Sequence, residues 1–173
     1  MALLGRVAAG EPADVRRFLD EVAPVVYGFI FARVGGNEAT AEDLLQETLF
    51  EGVRSAAGFR GESALSTWLC AIARRRLARY YESERKAELA RRGLRVVEGG
   101  ADSGLEDFDR RDEIIRALGR LSPMHRQLLV LKYLDGLSVE KISSQVGRTP
   151  VQVQSLLQRA REGLRRELES VHE

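Results

Sequence analysis

Apolar positions recur at three- and four-residue spacing along most of the chain, and alternating strand patterns are scarce, so the sequence predicts an all-α protein. Residues 12–34 read as one or two helices. Pro12 suits a first turn, and Val15, Phe18, Leu19, Val22, Val25, Val26, Phe29, Ile30 and Val34 form a broad apolar face. Pro24 divides or kinks the segment, and Gly35-Gly36 ends it. Asn37 is placed to cap a helix from Glu38 to about Ala57. Its inward side is Ala41, Leu44, Leu45, Thr48, Leu49 and Val53, which leaves Glu42, Asp43, Gln46, Glu47 and Glu51 facing out. The longest helical pattern comes next. No Gly or Pro interrupts Ala64 to Glu88, Ser63 or Ser66 can cap it, and it runs on to about Arg92. Leu65, Trp68, Leu69, Ile72 and Ala73 should face a core, with Trp68 mainly buried.

The pattern breaks between Gly93 and Gly104, where four glycines and small polar residues predict a flexible linker. The expected organisation is therefore a domain at 1–92, a linker at 93–110 and a second domain at 111–173. In the second domain Ile114, Ile115, Leu118 and Leu121 mark one helix. Ser122-Pro123 starts another with Leu128, Leu129, Leu131, Tyr133 and Leu134, which Asp135-Gly136 stops. Ser138 caps a short helix over Val139 to Val146, Gly147 permits a tight turn, and Thr149-Pro150 opens a long helix to about Leu168. A short helix, a glycine turn and a capped long helix form the pattern of a helix-turn-helix, with Val139, Ile142 and Val146 packing on Val153, Leu157 and Leu164. Plain bundle packing gives the same pattern, and the alternative stays open at this point.

Composition narrows the functional classes. An apolar content of 44% is ordinary for a globular chain, and no apolar run reaches the roughly 18 residues of a membrane span. The first residues, MALLGRVAAGEP, are too short and soon too polar for a signal peptide. One cysteine, Cys70, excludes an internal disulfide framework and fits a reducing cytoplasm; its apolar setting suggests a buried structural thiol. His125 and His172 are isolated, no Ser/His/Asp arrangement has supporting context, and neither a metal nor a cofactor of its own is expected. The net charge of +1 conceals segregation: −6 over residues 11–53, +7 over 54–95, −5 over 96–113 and +4 over 114–173. Such an order suits separate surfaces with separate partners, or internal pairing of the blocks.

The basic block has chemistry suited to a partly opened nucleic acid. Gly58 to Ser63 places one aromatic, Phe59, between glycines; Arg75 and Arg79 share a helix face; Arg74, Arg76, Arg85 and Lys86 widen the positive surface, with Tyr80 and Tyr81 among them. Arginines neutralise phosphates, and aromatic stacking, worth about 1–3 kcal/mol per base, offsets the cost of unstacking one. A solvated basic face is the plain alternative. In the C-terminal half, Thr149 to Gln154 would present small and polar groups to a major groove, and Arg148, Arg159, Arg161, Arg165 and Arg166 would reach phosphates.

Three blocks in order resemble a bacterial RNA polymerase sigma factor of the small, two-domain, extracytoplasmic-function group. Ala41 to Phe50, AEDLLQETLF, resembles that family's core-polymerase-binding segment. Phe59-Arg-Gly-Glu-Ser with Thr67-Trp-Leu and Ile72-Ala-Arg resembles its promoter-melting loop and helix. Leu121-Ser-Pro, Tyr133-Leu-Asp-Gly-Leu-Ser and Arg159-Ala-Arg resemble its promoter-reading C-terminal domain. The resemblance implies a non-enzymatic subunit that binds core RNA polymerase, at the clamp helices of the largest subunit and the flap of the second-largest, and directs it to promoter DNA. Asp43, Gln46 and Glu47 would contact the clamp. Phe59, Arg60, Ser63, Arg75 and Arg79 would serve the minus-ten element and strand opening. Arg148, Thr149, Gln152, Gln154, Arg159 and Arg161 would serve the minus-thirty-five element. An anti-sigma protein is an implied partner. The chain departs from the family at Gln154 and Leu156, where Lys and Arg are frequent, and at Val53, where Trp is frequent; its Arg74-Arg75-Arg76 run is unusually basic. The rival readings are a stand-alone helix-turn-helix regulator and an all-α interaction protein.

Overall fold

The computed structural model describes residues 3–92 and 110–170, and every regular element among them is helical. The chain divides into two compact units, Met1–Tyr80 and Tyr81–Glu173. The expected linker lies outside the described residues except Arg110, which begins a helix.

The first unit contains α1 (Leu3–Ala8), α2 (Pro12–Glu21), α3 (Ala23–Arg33), α4 (Glu38–Arg54), a 3₁₀ turn at Ala56–Gly58, and the first turns of α5 (Leu65–Arg92). α1 was not foreseen: Leu4 and Val7 are buried, but six residues are too few to show a periodicity. Proline decides the break that follows. Pro24 falls in the first turn of α3, where its missing N–H costs nothing, so the segment from 12 to 34 forms two helices that meet at Val22. The division also rotates the apolar stripe. Phe18, Val22, Val26, Ile30 and Val34 are buried, whereas Leu19 and Val25, expected on the same face, are 49% and 54% exposed. The Asn37 side chain accepts from the Thr40 N–H at 3.0 Å, as its sequence position suggested.

α4 and α5 approach closely at Gly52. A Cβ on this residue would collide with the side chain of Leu69, which is itself fully buried. Thr48, also fully buried, returns its hydroxyl to the Leu44 carbonyl at 2.6 Å, leaving no unpaired polar atom in the contact.

The second unit adds α6 (Arg110–Arg120), α7 (Pro123–Leu129) continuing as a π-helical turn over Val130–Leu134, α8 (Val139–Val146) and α9 (Pro150–Glu169). Ser122, Ser138 and Thr149 cap α7, α8 and α9 through their side chains. Gly147, at φ 67°, supplies the left-handed residue between α8 and α9. The core joins Leu118, Leu128, Leu129, Leu131, Ile142, Val146, Val153, Leu157 and Ala160, with Val139 and Leu164 at its edge. The helix-turn-helix packing expected from the sequence is therefore present. The π turn was not foreseen. The Asp135 N–H bonds to the Val130 carbonyl at 2.9 Å, and this wider winding leaves Tyr133 and Leu134 58% and 45% exposed. Arg126 is buried; its Nη2 donates to the Glu84 carboxylate at 2.8 Å and its Nη1 to the Gly119 carbonyl at 3.3 Å, while its buried Nε has no partner among the described residues.

Candidate functional site

The amphipathic pattern of α4 decides what it displays. Ala41, Leu44 and Thr48 turn inward, so Asp43, Gln46 and Glu47 emerge together on one exposed face. Glu47 and Glu51 do not face only solvent. Arg76, from α5, donates Nη1 to Glu47 at 3.0 Å, and Nη2 and Nε to Glu51 at 2.6 and 2.8 Å. Arg75 reaches Glu51 at 3.2 Å. The expected outward position of Glu51 is thus corrected: it is half-buried, and its hydrogen bond from Arg76, reinforced by Arg75, holds its carboxyl below the usual range. Beside this network Phe50 stands 67% exposed, lining an open surface cavity of about 720 Å³ with Gln46, Glu47, Arg54 and Arg76. In the sequence Phe50 is marked only as an aromatic residue at an outward position of an otherwise polar face.

The basic block is also partly consumed inside the unit. The Arg74 guanidinium lies 5.1 Å from the Phe29 ring centroid, and Arg33 covers the same ring at 3.5 Å. With Arg75 and Arg76 bound to carboxylates, the wide positive surface predicted for Arg74 to Arg76 is reduced to what these groups present beyond their internal contacts. Arg79 is exposed, Tyr81 belongs to the core at 4% exposure, and Lys86 pairs with Glu82 at 3.0 Å.

Phe59 sits at the end of the 3₁₀ turn, before the loop that leads to α5. Its ring lies 5.3 Å from that of Trp68, tilted by 52°. Trp68 is half-buried, so its expected place as a core residue is corrected to that of a platform at the core's edge. Arg60 and Ser63 are exposed, and Gly61 takes φ 74°, which lets the loop turn back toward α5. Ser63 donates its hydroxyl to the Ala64 carbonyl at 3.4 Å. Cys70 is half-buried and burial raises its thiol pKa, so it is neutral at physiological pH.

In the second unit Arg148, Thr149, Gln152 and Gln154 lie together and exposed at the start of α9. Thr149 and Gln152 form a reciprocal capping box: the Gln152 N–H reaches the Thr149 hydroxyl at 3.3 Å, and the Thr149 N–H reaches the Gln152 side-chain oxygen at 3.0 Å. Arg159 is exposed further along the helix, and Arg161 donates to the Tyr133 hydroxyl at 3.1 Å. Among the described residues no group of His, Cys, Asp and Glu is placed to hold a metal ion, and no helix is long and apolar enough to cross a membrane.

The two surfaces coincide with two family matches. Residues 18–87 match the Sigma-70 region 2 family model, and residues 111–164 match the Sigma-70, region 4 model, which defines a sigma-type protein. The ECF RNA polymerase sigma factor BldN of Streptomyces coelicolor is 32% identical over 166 residues, which cover 92% of this chain and 62% of that protein. The ECF RNA polymerase sigma factor SigL of Mycobacterium tuberculosis is 31% identical over 183 residues, 99% of this chain and 98% of that one. The chain belongs to the ECF RNA polymerase sigma factor family. Its length relative to these proteins varies: it spans 62% of BldN and 52% of a further mycobacterial relative. The sigma factor RpoE of Bartonella quintana, solved in complex with the anti-sigma factor NepR, shares the fold at a TM-score of 0.50 and 23% identity, over 90% of this chain and 97% of that one.

Proposed function

We propose that this chain is a promoter-specificity subunit: it binds core RNA polymerase, directs it to particular promoters and helps open the DNA, while polymerisation chemistry remains with the core enzyme. The observation that carries this reading is the order of the two family matches, region 2 then region 4, on two units that each expose the corresponding surface. In the first unit, within residues 1–92, Asp43, Gln46 and Glu47 dock on the clamp helices of the polymerase, and Phe50 adds an aromatic anchor to a polar rim. The loop with Phe59, Arg60 and Ser63 receives a base of the minus-ten element, supported by the Trp68 ring, and Arg75 and Arg79 follow the adjoining backbone. In the second unit, within residues 111–173, the start of α9 enters the major groove at the minus-thirty-five element. Thr149, Gln152 and Gln154 line the groove-facing start of the helix, and Arg148, Arg159 and Arg161 are at the phosphates. The flap of the polymerase and an anti-sigma protein are further partners; the RpoE relative is found with such a protein. The site of action is the cytoplasm, and the chain works without a cofactor.

Binding to core polymerase tests the docking assignment. Asp43→Arg reverses a charge on an exposed face and should weaken binding by about tenfold or more, with Gln46→Ala weaker by about threefold, both without loss of helicity. Unchanged affinity in both variants would remove α4 from the interface.

A further inference from the structure

Two neighbours at the start of α9 have different chemical freedom. Reading adenine through a glutamine requires the side-chain oxygen and nitrogen together, one accepting from N6 and the other donating to N7. Gln152 has its oxygen committed to the Thr149 N–H at 3.0 Å, and releasing it would give up one half of the capping box. Gln154, also exposed, lies outside this box. Val151, which lies between Thr149 and Gln152 in sequence, is 75% exposed. The fold gains little from a valine there. It buries almost no area, and a β-branched residue is a poorer helix former than alanine.

The helix also limits how far the duplex can follow. Val151, Ser155, Gln158 and Glu162 fall on the stripe opposite the buried Val153, Leu157 and Ala160. Glu162, which accepts from Gln158 at 3.3 Å, places a carboxylate on this stripe in the fourth turn of α9, with Arg159 and Arg161 flanking it, so the stripe itself is unfavourable to phosphate there. Contact with bases is thereby concentrated on Val151, Gln154 and Ser155. The major groove offers one apolar group, the 5-methyl of thymine.

We infer that Val151 reads the 5-methyl group of a thymine in the upstream promoter element, and that Gln152 is a positioning residue that holds the first turn of α9 rather than a reader of bases. This rests on the proposed sigma role and adds to it one specificity-determining contact. The test uses holoenzyme reconstituted from this chain and bacterial core polymerase, with duplex promoters carrying an upstream element that the holoenzyme selects from a randomised library. Each thymine in turn is replaced by deoxyuridine, which removes only the methyl. At one position the wild-type holoenzyme should lose about fourfold in affinity, the scale of one buried methyl-sized group. Holoenzyme with Val151→Ala should bind the thymine promoter with about that same loss and be indifferent to uridine there. Gln152→Ala should lower binding to selected and single-base-changed elements by the same factor, leaving their ratio unchanged, and Gln152→Glu, which keeps an acceptor for the Thr149 N–H, should leave that ratio unchanged as well. Tolerance of uridine at every position, or a uridine penalty that persists in Val151→Ala, overturns the thymine contact. A changed ratio in both Gln152 variants overturns the positioning role. A holoenzyme that selects no upstream element at all overturns the underlying reading instead.

Discussion

The two units carry their charge differently. In the first, acidic α4 and basic α5 face each other. Glu47 and Glu51 hold Arg76, Arg75 leans on Glu51, and Arg74 covers the Phe29 ring. In the second, the arginines at 148 and 159 lie exposed on or beside a helix whose inner face is wholly apolar. The first unit therefore spends charge on its own architecture and exposes an aromatic, Phe50, beside the ion pairs. The second also pairs Arg126 with Glu84 and Arg120 with Glu167, each at 2.8 Å, beside its apolar packing and three side-chain caps, and keeps the polar start of α9 exposed. Equal charge in a sequence does not mean equal charge at a surface.

The contrast can be broken most severely at the glycines. Gly52→Val puts a branched side chain against the buried Leu69 and should destabilise the first unit by about 2–3 kcal/mol. Gly163→Ala, in the second unit, meets only the Leu121 side-chain end at 3.2 Å, and the gain in helix propensity should make it close to neutral. Hydrogen exchange resolved to α4 and to α9 reads the two effects separately; equal losses would mean that the α4–α5 contact is no tighter than the packing of α9.

A smaller effect sharpens the electrostatic side. Glu51→Gln should cost roughly 1.5 kcal/mol, between the worth of an exposed ion pair and of charged hydrogen bonds made in partial burial. The folded-state pKa of Glu51 lies below its unfolded value. Its contribution is therefore complete above the ordinary carboxylate range, about 4.3, and is lost as pH falls through the lower folded value. Wild type should lose stability in the first unit more steeply than Glu51→Gln on acidification below about pH 4. Parallel acid profiles would place the arginines' partner elsewhere.

The smallest effect belongs to the caps. Thr149→Ala removes the hydroxyl half of the capping box and should cost about 1 kcal/mol. The loss should appear as faster exchange in the first turn of α9, with α4 unchanged. No change at all would mean that the turn at Gly147 alone holds the start of the helix.

Much of this was legible in the sequence because local chemistry sufficed. Asn37, Ser138 and Thr149 cap where their positions predict, and the apolar residues of α8 and α9 meet as their spacing requires. The exceptions involve pairs distant along the chain or unusual windings. Arg76 and Glu47 look like two solvated charges until α4 and α5 cross at Gly52. Phe59 and Trp68 look like one loop aromatic and one core aromatic until their rings meet. The π turn at Val130 shifts the residues after it away from a 3.6-residue pattern, and only the folded backbone reveals it. Val151 and Gln152 are adjacent exposed positions in the sequence; only the folded backbone shows that the Gln152 side chain is held in the capping box.

The most direct test of the central claim is reconstituted transcription. The purified chain is added to bacterial core polymerase with a promoter library, and new transcript starts are sequenced. Specific starts should appear that require this chain, share two upstream sequence elements, and disappear with Asp43→Arg. Tight, specific binding to duplex DNA by the chain alone, with no binding to core polymerase and no chain-dependent starts, would contradict the claim.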